Sequence, residues 1–122
     1  MTTQILPANL LTPPAVPVLE LEDLILQVLP RIENNDHLIG ELVKRLKPAV
    51  EYFLIAYRQA EFLSSGFNNL SPGEVIQIIE GIHSNKAMAD ECLKGRRPVK
   101  AAFDLFVANM DIEENGSSQS IH

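Results

Sequence analysis

With 122 residues, 46% of them hydrophobic, and a formal net charge of −6, the chain has the length of one domain and too much apolar content to be wholly disordered. The acidic balance excludes bulk attraction to DNA or to an anionic membrane surface. A lone cysteine, Cys92, excludes an internal disulfide, and no apolar run is long enough to cross a bilayer.

Residues 1–17, MTTQILPANLLTPPAVP, hold four of the eight prolines: Pro7, Pro13, Pro14 and Pro17. Proline fixes φ and has no N–H, so this stretch is expected to be an extended, polyproline-like arm rather than a helix or a central strand. It is also apolar, with Ile5, Leu10, Leu11, Ala15 and Val16, which marks Leu10, Leu11 and Val16 as candidates to pack on the chain's own body or on a neighbouring subunit. The first basic residue is Arg31. The opening residues therefore lack the basic region of a secretory signal, and the expectation is a soluble, cytoplasmic protein.

A first helix is predicted from near Glu20. Leu21, Leu24, Ile25, Val28, Leu29 and Ile32 recur at spacings of three and four, and Glu20, Glu22 and Asp23 complement the positive end of the helix. Pro30 kinks or ends it, and the turn at 33–36 supplies Asn35 or Asp36 as the next cap. A second helix is predicted from about His37 to Ser64. Its apolar face is Ile39, Leu42, Val43, Leu46, Ala49, Val50, Phe53, Leu54, Tyr57 and Ala60. Pro48 interrupts it, so a bend there or a partner covering the excess length is expected. Gly66 is the expected C-terminal cap.

LSPGEV, residues 70–75, is the clearest local signal. Ser71 is an N-cap, Pro72 occupies the first helical position, and Glu74 completes a capping box. The helix that follows has a wide face of Val75, Ile76, Ile78, Ile79 and Ile82. HSNK, residues 83–86, reads as a restart. A short helix over 87–94 then turns Met88, Ala89, Cys92 and Leu93 inward and ends at Gly95. Pro98 opens the last helix, with a stripe of Val99, Ala102, Phe103, Phe106, Val107 and Met110. Residues 111–122 are acidic and then serine-rich, and are expected to be disordered. No strand pattern and no repeat is present in the sequence.

The sequence offers little convergent polar chemistry. His37 and Glu41 are four apart, which is two ligands and not a zinc site. Asp90, Glu91 and Cys92 are contiguous and point around a helix rather than at one spot. No phosphate loop, dinucleotide fingerprint or paired-cysteine motif occurs. The expectation is a protein that is not an enzyme, with no cofactor and no metal.

One feature departs from the acidic average. ECLKGRRPVKAAFDLF, residues 91–106, gathers Lys94, Arg96, Arg97 and Lys100, four of the ten basic residues. Three readings compete: a solvated helix junction, a contact with an acidic protein surface, and a contact with nucleic acid. For the last, SNKAMADECLKGRRPVKAAFDLFVANMDI, residues 84–112, resembles over LKGRRP the C-terminal part of a phage-repressor-like helix-turn-helix domain. In such a domain a recognition helix ends in a glycine and a basic turn. Here the segment that would enter the groove carries Asp90 and Glu91, which phosphates repel.

The expectation is therefore an all-α fold, an irregular bundle of five or six helices over 18–110 with two proline kinks. It is flanked by the arm at 1–17 and the tail at 111–122. The expected function is a non-catalytic protein–protein interaction or assembly module, an adaptor or structural subunit of a homo- or hetero-oligomer. The alternative is a small helix-turn-helix-like regulator contacting nucleic acid through residues 94–100. Candidate partner-binding residues are Lys94, Arg96, Arg97 and Lys100 at the junction, Leu10, Leu11 and Val16 in the arm, and the aromatic excess Tyr52, Tyr57, Phe62 and Phe67.

Overall fold

The computed structural model describes residues 12, 15–66 and 69–110, with the backbone alone over 111–119. The described residues form four α-helices and one 3-10 turn, with no strand: α1 (Val18–Val28), the 3-10 turn (Pro30–Ile32), α2 (Asp36–Gly66), α3 (Pro72–Leu93) and α4 (Arg97–Gln119). The chain divides into two compact units, Met1–Ala15 with Pro48–Cys92, and Val16–Lys47 with Leu93–His122.

In the second unit, α1 starts two residues earlier than Glu20. Pro17 stands at its N-cap in an extended conformation, φ −60° and ψ 137°. Its carbonyl accepts from the N–H groups of Glu20 (3.1 Å) and Leu21 (3.4 Å). Pro30 ends α1 rather than kinking it. The residue before a proline is pushed out of the α region, and Leu29 lies at φ −128°, ψ 70°. Asn35 is the cap of α2, its Oδ1 accepting from the Leu38 N–H at 3.1 Å. α1 packs against α4. Leu21, Leu24 and Ile25 are buried on one element, and Val99, Ala102, Phe103 and Phe106 on the other, as their spacing requires. Each large side chain removed from water in this way contributes about 1.5–3 kcal/mol before entropy is counted.

In the first unit, α3 opens on a reciprocal capping box. The Ser71 N–H donates to Glu74 Oε1 at 2.7 Å, and the Glu74 N–H donates to Ser71 Oγ at 3.2 Å. Glu74 is buried by this arrangement. The helix then runs unbroken for 22 residues. This corrects the expected restart at 83–86, and with it the count of five or six helices. Asn85, read as a turn residue, lies inside the helix. Its Nδ2 donates to Gly81 O at 2.9 Å and to Gln59 Oε1 on α2 at 3.2 Å. Gln59 is 4% exposed. A Cβ placed on Gly81 would lie 2.9 Å from Gln59 Nε2, so the glycine is what admits the buried amide. No buried side-chain nitrogen or oxygen among the described residues lacks a hydrogen-bond partner.

Several expected inward residues face water. Ala60 is exposed while its neighbour Gln59 is buried, because the Gln59 amide finds its partner on α3. Ile76, Ile79 and Met88 are exposed. At about 100° per residue Ile76 lies about 160° around α3 from the buried Ile78, so both cannot face the same neighbour. Gly66 is itself the last helical residue of α2 and not a left-handed one; among the described residues the positive φ is at Gly95, +74°. Pro48 stays inside α2, which is one helix of 31 residues. α4 continues to Gln119, where a disordered tail from residue 111 is expected. Extending a helix already held by packing costs little, since each added residue gains a hydrogen bond. The arm at 1–11 and 13–14 lies outside the described residues, as do residues 67–68 and 120–122.

Two stability predictions follow from these local contacts. Ser71→Ala removes one half of the capping box and lowers stability by about 1 kcal/mol in denaturant titrations. An unchanged midpoint would mean that α3 does not depend on that cap. Gly81→Ala is destabilising or neutral in the natural chain, because it displaces a buried, hydrogen-bonded amide. In a Gln59→Ala background the same change is stabilising by up to about 1 kcal/mol, the helix propensity of alanine over glycine. Equal effects in the two backgrounds would show that Gly81 and Gln59 are not coupled.

Candidate interaction surface

Three residues, Lys94 to Arg96, join α3 to α4. Gly95 takes the left-handed conformation that ends the helix, and the Arg96 N–H donates to Leu93 O at 3.1 Å. Arg96 is the N-cap of α4, its carbonyl accepting from the Lys100 N–H at 2.9 Å. The predicted basic cluster is thus held together in one turn and the first turn of the next helix.

Its four cations are not equivalent. Lys94 is exposed at the C-terminal end of α3, where a cation complements the helix dipole. Arg96 is half-buried and engaged with a neighbouring group. Arg97 is exposed at the first position of α4, next to the positive end of the dipole, and no acidic residue offsets it in that turn. Lys100 bridges Asp104 through both carboxylate oxygens, at 3.1 and 3.2 Å. That pair is exposed and of small energetic worth, but it turns the Lys100 charge toward its own helix. The junction therefore presents Lys94 and Arg97 outward more than it presents a block of four charges.

The apolar candidates fare unevenly. Leu10, Leu11 and Phe67 lie outside the described residues, and Val16 is half-buried. Tyr52, Tyr57 and Phe62 are half-buried on α2, where Tyr57 packs near Phe53 with ring centroids 6.2 Å apart. Each is partly covered and partly open. More exposed apolar side chains lie elsewhere: Leu19 is 74% exposed, Ile76 57% and Val18 51%, with Ile79 and Met88 also facing solvent. Ile76 and Ile79 are neighbours one turn apart on α3, and Val18 and Leu19 open α1. The sequence signal for the α3 pair is that apolar residues at 75, 76, 78, 79 and 82 wrap more of a helix than one contact can cover.

His37 is exposed and Glu41 half-buried. Among the described residues no group of three or more His, Cys, Asp or Glu side chains is placed to hold a metal ion. Cys92 is half-buried rather than fully inward. No helix of the described residues is long and apolar enough to cross a membrane. No family model matches the chain, and neither the curated proteins nor the solved structures contain a significant match to it.

The two arginines are separable by stability. Arg97→Ala leaves the thermal midpoint unchanged or slightly higher, since it removes a cation from the positive end of a helix. Arg96→Ala lowers it, since that side chain is half-buried and engaged. Equal losses for both in parallel melts would mean that Arg97 also has a structural contact.

Proposed function

We propose that the chain is a protein–protein interaction module, a non-catalytic subunit or adaptor that works by assembling with other protein chains. The observation that carries this reading is the pair Ile76 and Ile79, large β-branched side chains facing solvent on a helix that is capped and packed on its other side. Scattered apolar residues are ordinary on any surface, but adjacent ones on an ordered helix suit a contact that removes them from water. Val18 and Leu19 offer a second apolar pair at the start of α1. Arg97 and Lys94 suit an acidic protein partner, because arginine forms planar, two-point contacts with carboxylates. The bridge between Lys100 and Asp104 weakens the nucleic-acid alternative, which needs an undiluted positive field.

The test is the solution mass. Light scattering at micromolar concentration gives a mass of at least twice the 13.6 kDa of the chain. Ile76→Glu together with Ile79→Glu shifts it toward the monomer while the helical circular dichroism is kept. A natural chain that is monomeric across a wide concentration range removes the homo-oligomer form of the proposal. Salt-sensitive retention on DNA that is lost in Arg97→Ala would favour the regulator instead.

A further inference from the structure

The two compact units exchange the chain at three points, between Ala15 and Val16, between Lys47 and Pro48, and between Cys92 and Leu93. Two of them fall at or beside a break in regular helix, and the third falls inside a helix. Ala15–Pro17 has no regular structure. Leu93 is the last residue of α3, two residues before Gly95 at φ +74°. A side chain at Gly95 would meet nothing within 4 Å, so it is the left-handed backbone and not crowding that favours glycine there. The third crossing is inside α2, at a proline.

We propose that Pro48 makes α2 a hinged helix, able to flex between its Asp36–Lys47 and Pro48–Gly66 halves. Proline has no N–H to give the Lys44 carbonyl, and its ring crowds that carbonyl, so one rung of the helix is missing. Where the rung is missing decides what bending disturbs. At about 100° per residue, Pro48 lies about 160° around the helix from both Leu46 and Val50. Those two side chains are fully buried, while Pro48 shares its face with Glu41, Lys44 and Glu51, which are exposed or half-buried. The weak rung therefore opens away from the buried stripe. Flexing lengthens the outer face, as helix curvature normally does on the solvent side, and leaves Leu46 and Val50 in place as the fulcrum. The inference rests on the fold alone and stands apart from the assembly reading.

The experiment measures the two ends of α2 in the full chain. Cys92→Ser removes the native thiol, and nitroxide labels are placed at His37→Cys and Ser64→Cys, both exposed positions. A straight helix would separate these positions by about 40 Å along its axis. Pulsed dipolar spectroscopy is run with labelled protein diluted in unlabelled protein, so that distances within one chain are read. A control pair, Ser64→Cys with Lys86→Cys, stays inside the Pro48–Cys92 unit. The expected result is a distance distribution for 37/64 clearly broader than the control. Pro48→Ala, which restores the missing hydrogen bond, narrows it. A 37/64 distribution as narrow as the control overturns the proposal. So does a broad one that Pro48→Ala leaves unchanged while the circular dichroism of the variant stays native. If the alanine variant does not fold, the comparison of the natural 37/64 width with the control decides the matter.

Discussion

The Asn85 side-chain amide donates to Gln59 on α2 and to the Gly81 carbonyl within α3, a directional tie between two helices of the unit from Pro48 to Cys92. A buried amide is costly unless its partners are supplied, and here they are supplied by residues that look unsuited to a helix interior. Glycine at position 81 costs up to about 1 kcal/mol relative to alanine in a helix. It is accommodated because any side chain there would occupy the space of the Gln59 amide. Directional bonds between helices also limit sliding: an apolar face tolerates a shift along the axis, whereas an amide pair is satisfied in one register. The Ile78 and Ala89 side chains, both buried, then fall on the same side of α3 as Asn85.

That arrangement explains which parts of the fold were legible in the sequence. The capping box at Ser71 and Glu74 was readable because its meaning is local: three residues decide it. The stripes of α1 and α4 were readable because Leu21, Leu24 and Ile25, and Val99, Ala102, Phe103 and Phe106, each follow one period and face one way. The helix-breaking effect of Pro30 was likewise local. Residues 83–86 read as a restart because His, Ser and Asn signal a turn by local propensity, and a partner 26 residues away in the chain changes the outcome. Gln59 was overlooked for the same reason. Pattern alone takes a glutamine for a surface residue, and only the donor on the facing helix makes it a core one. Met88 was misplaced because a short separate helix would have chosen its own face, whereas a continuous α3 inherits the face set by Ile78 and Asn85.

The candidate surface was legible in its charge and not in its apolar part. Lys94, Arg96, Arg97 and Lys100 do share one turn, but pairing and burial divide them, leaving Lys94 and Arg97 as the outward members. The sequence signal for the exposed Lys100–Asp104 pair is only the four-residue spacing that permits it. Tyr52, Tyr57 and Phe62 stand out in the sequence as apolar excess over what one small bundle covers. In the structure every residue from Pro48 to Gln59 is buried or half-buried, Phe62 is half-buried too, and Ile76 and Ile79 of α3 are more exposed. On the assembly reading proposed above, the apolar pairs would provide affinity and the two outward cations orientation.

The most direct test of this account is amide hydrogen exchange along α3 in the natural chain. A single helix held by Asn85 and Gln59 predicts that the amides of residues 82–88 exchange slowly, with protection comparable to those of 77–79 on the same helix. Fast exchange confined to residues 83–86, between two protected stretches, would place a break where the sequence suggests one. It would contradict both the continuous helix and the role given to the bond between Asn85 and the buried Gln59.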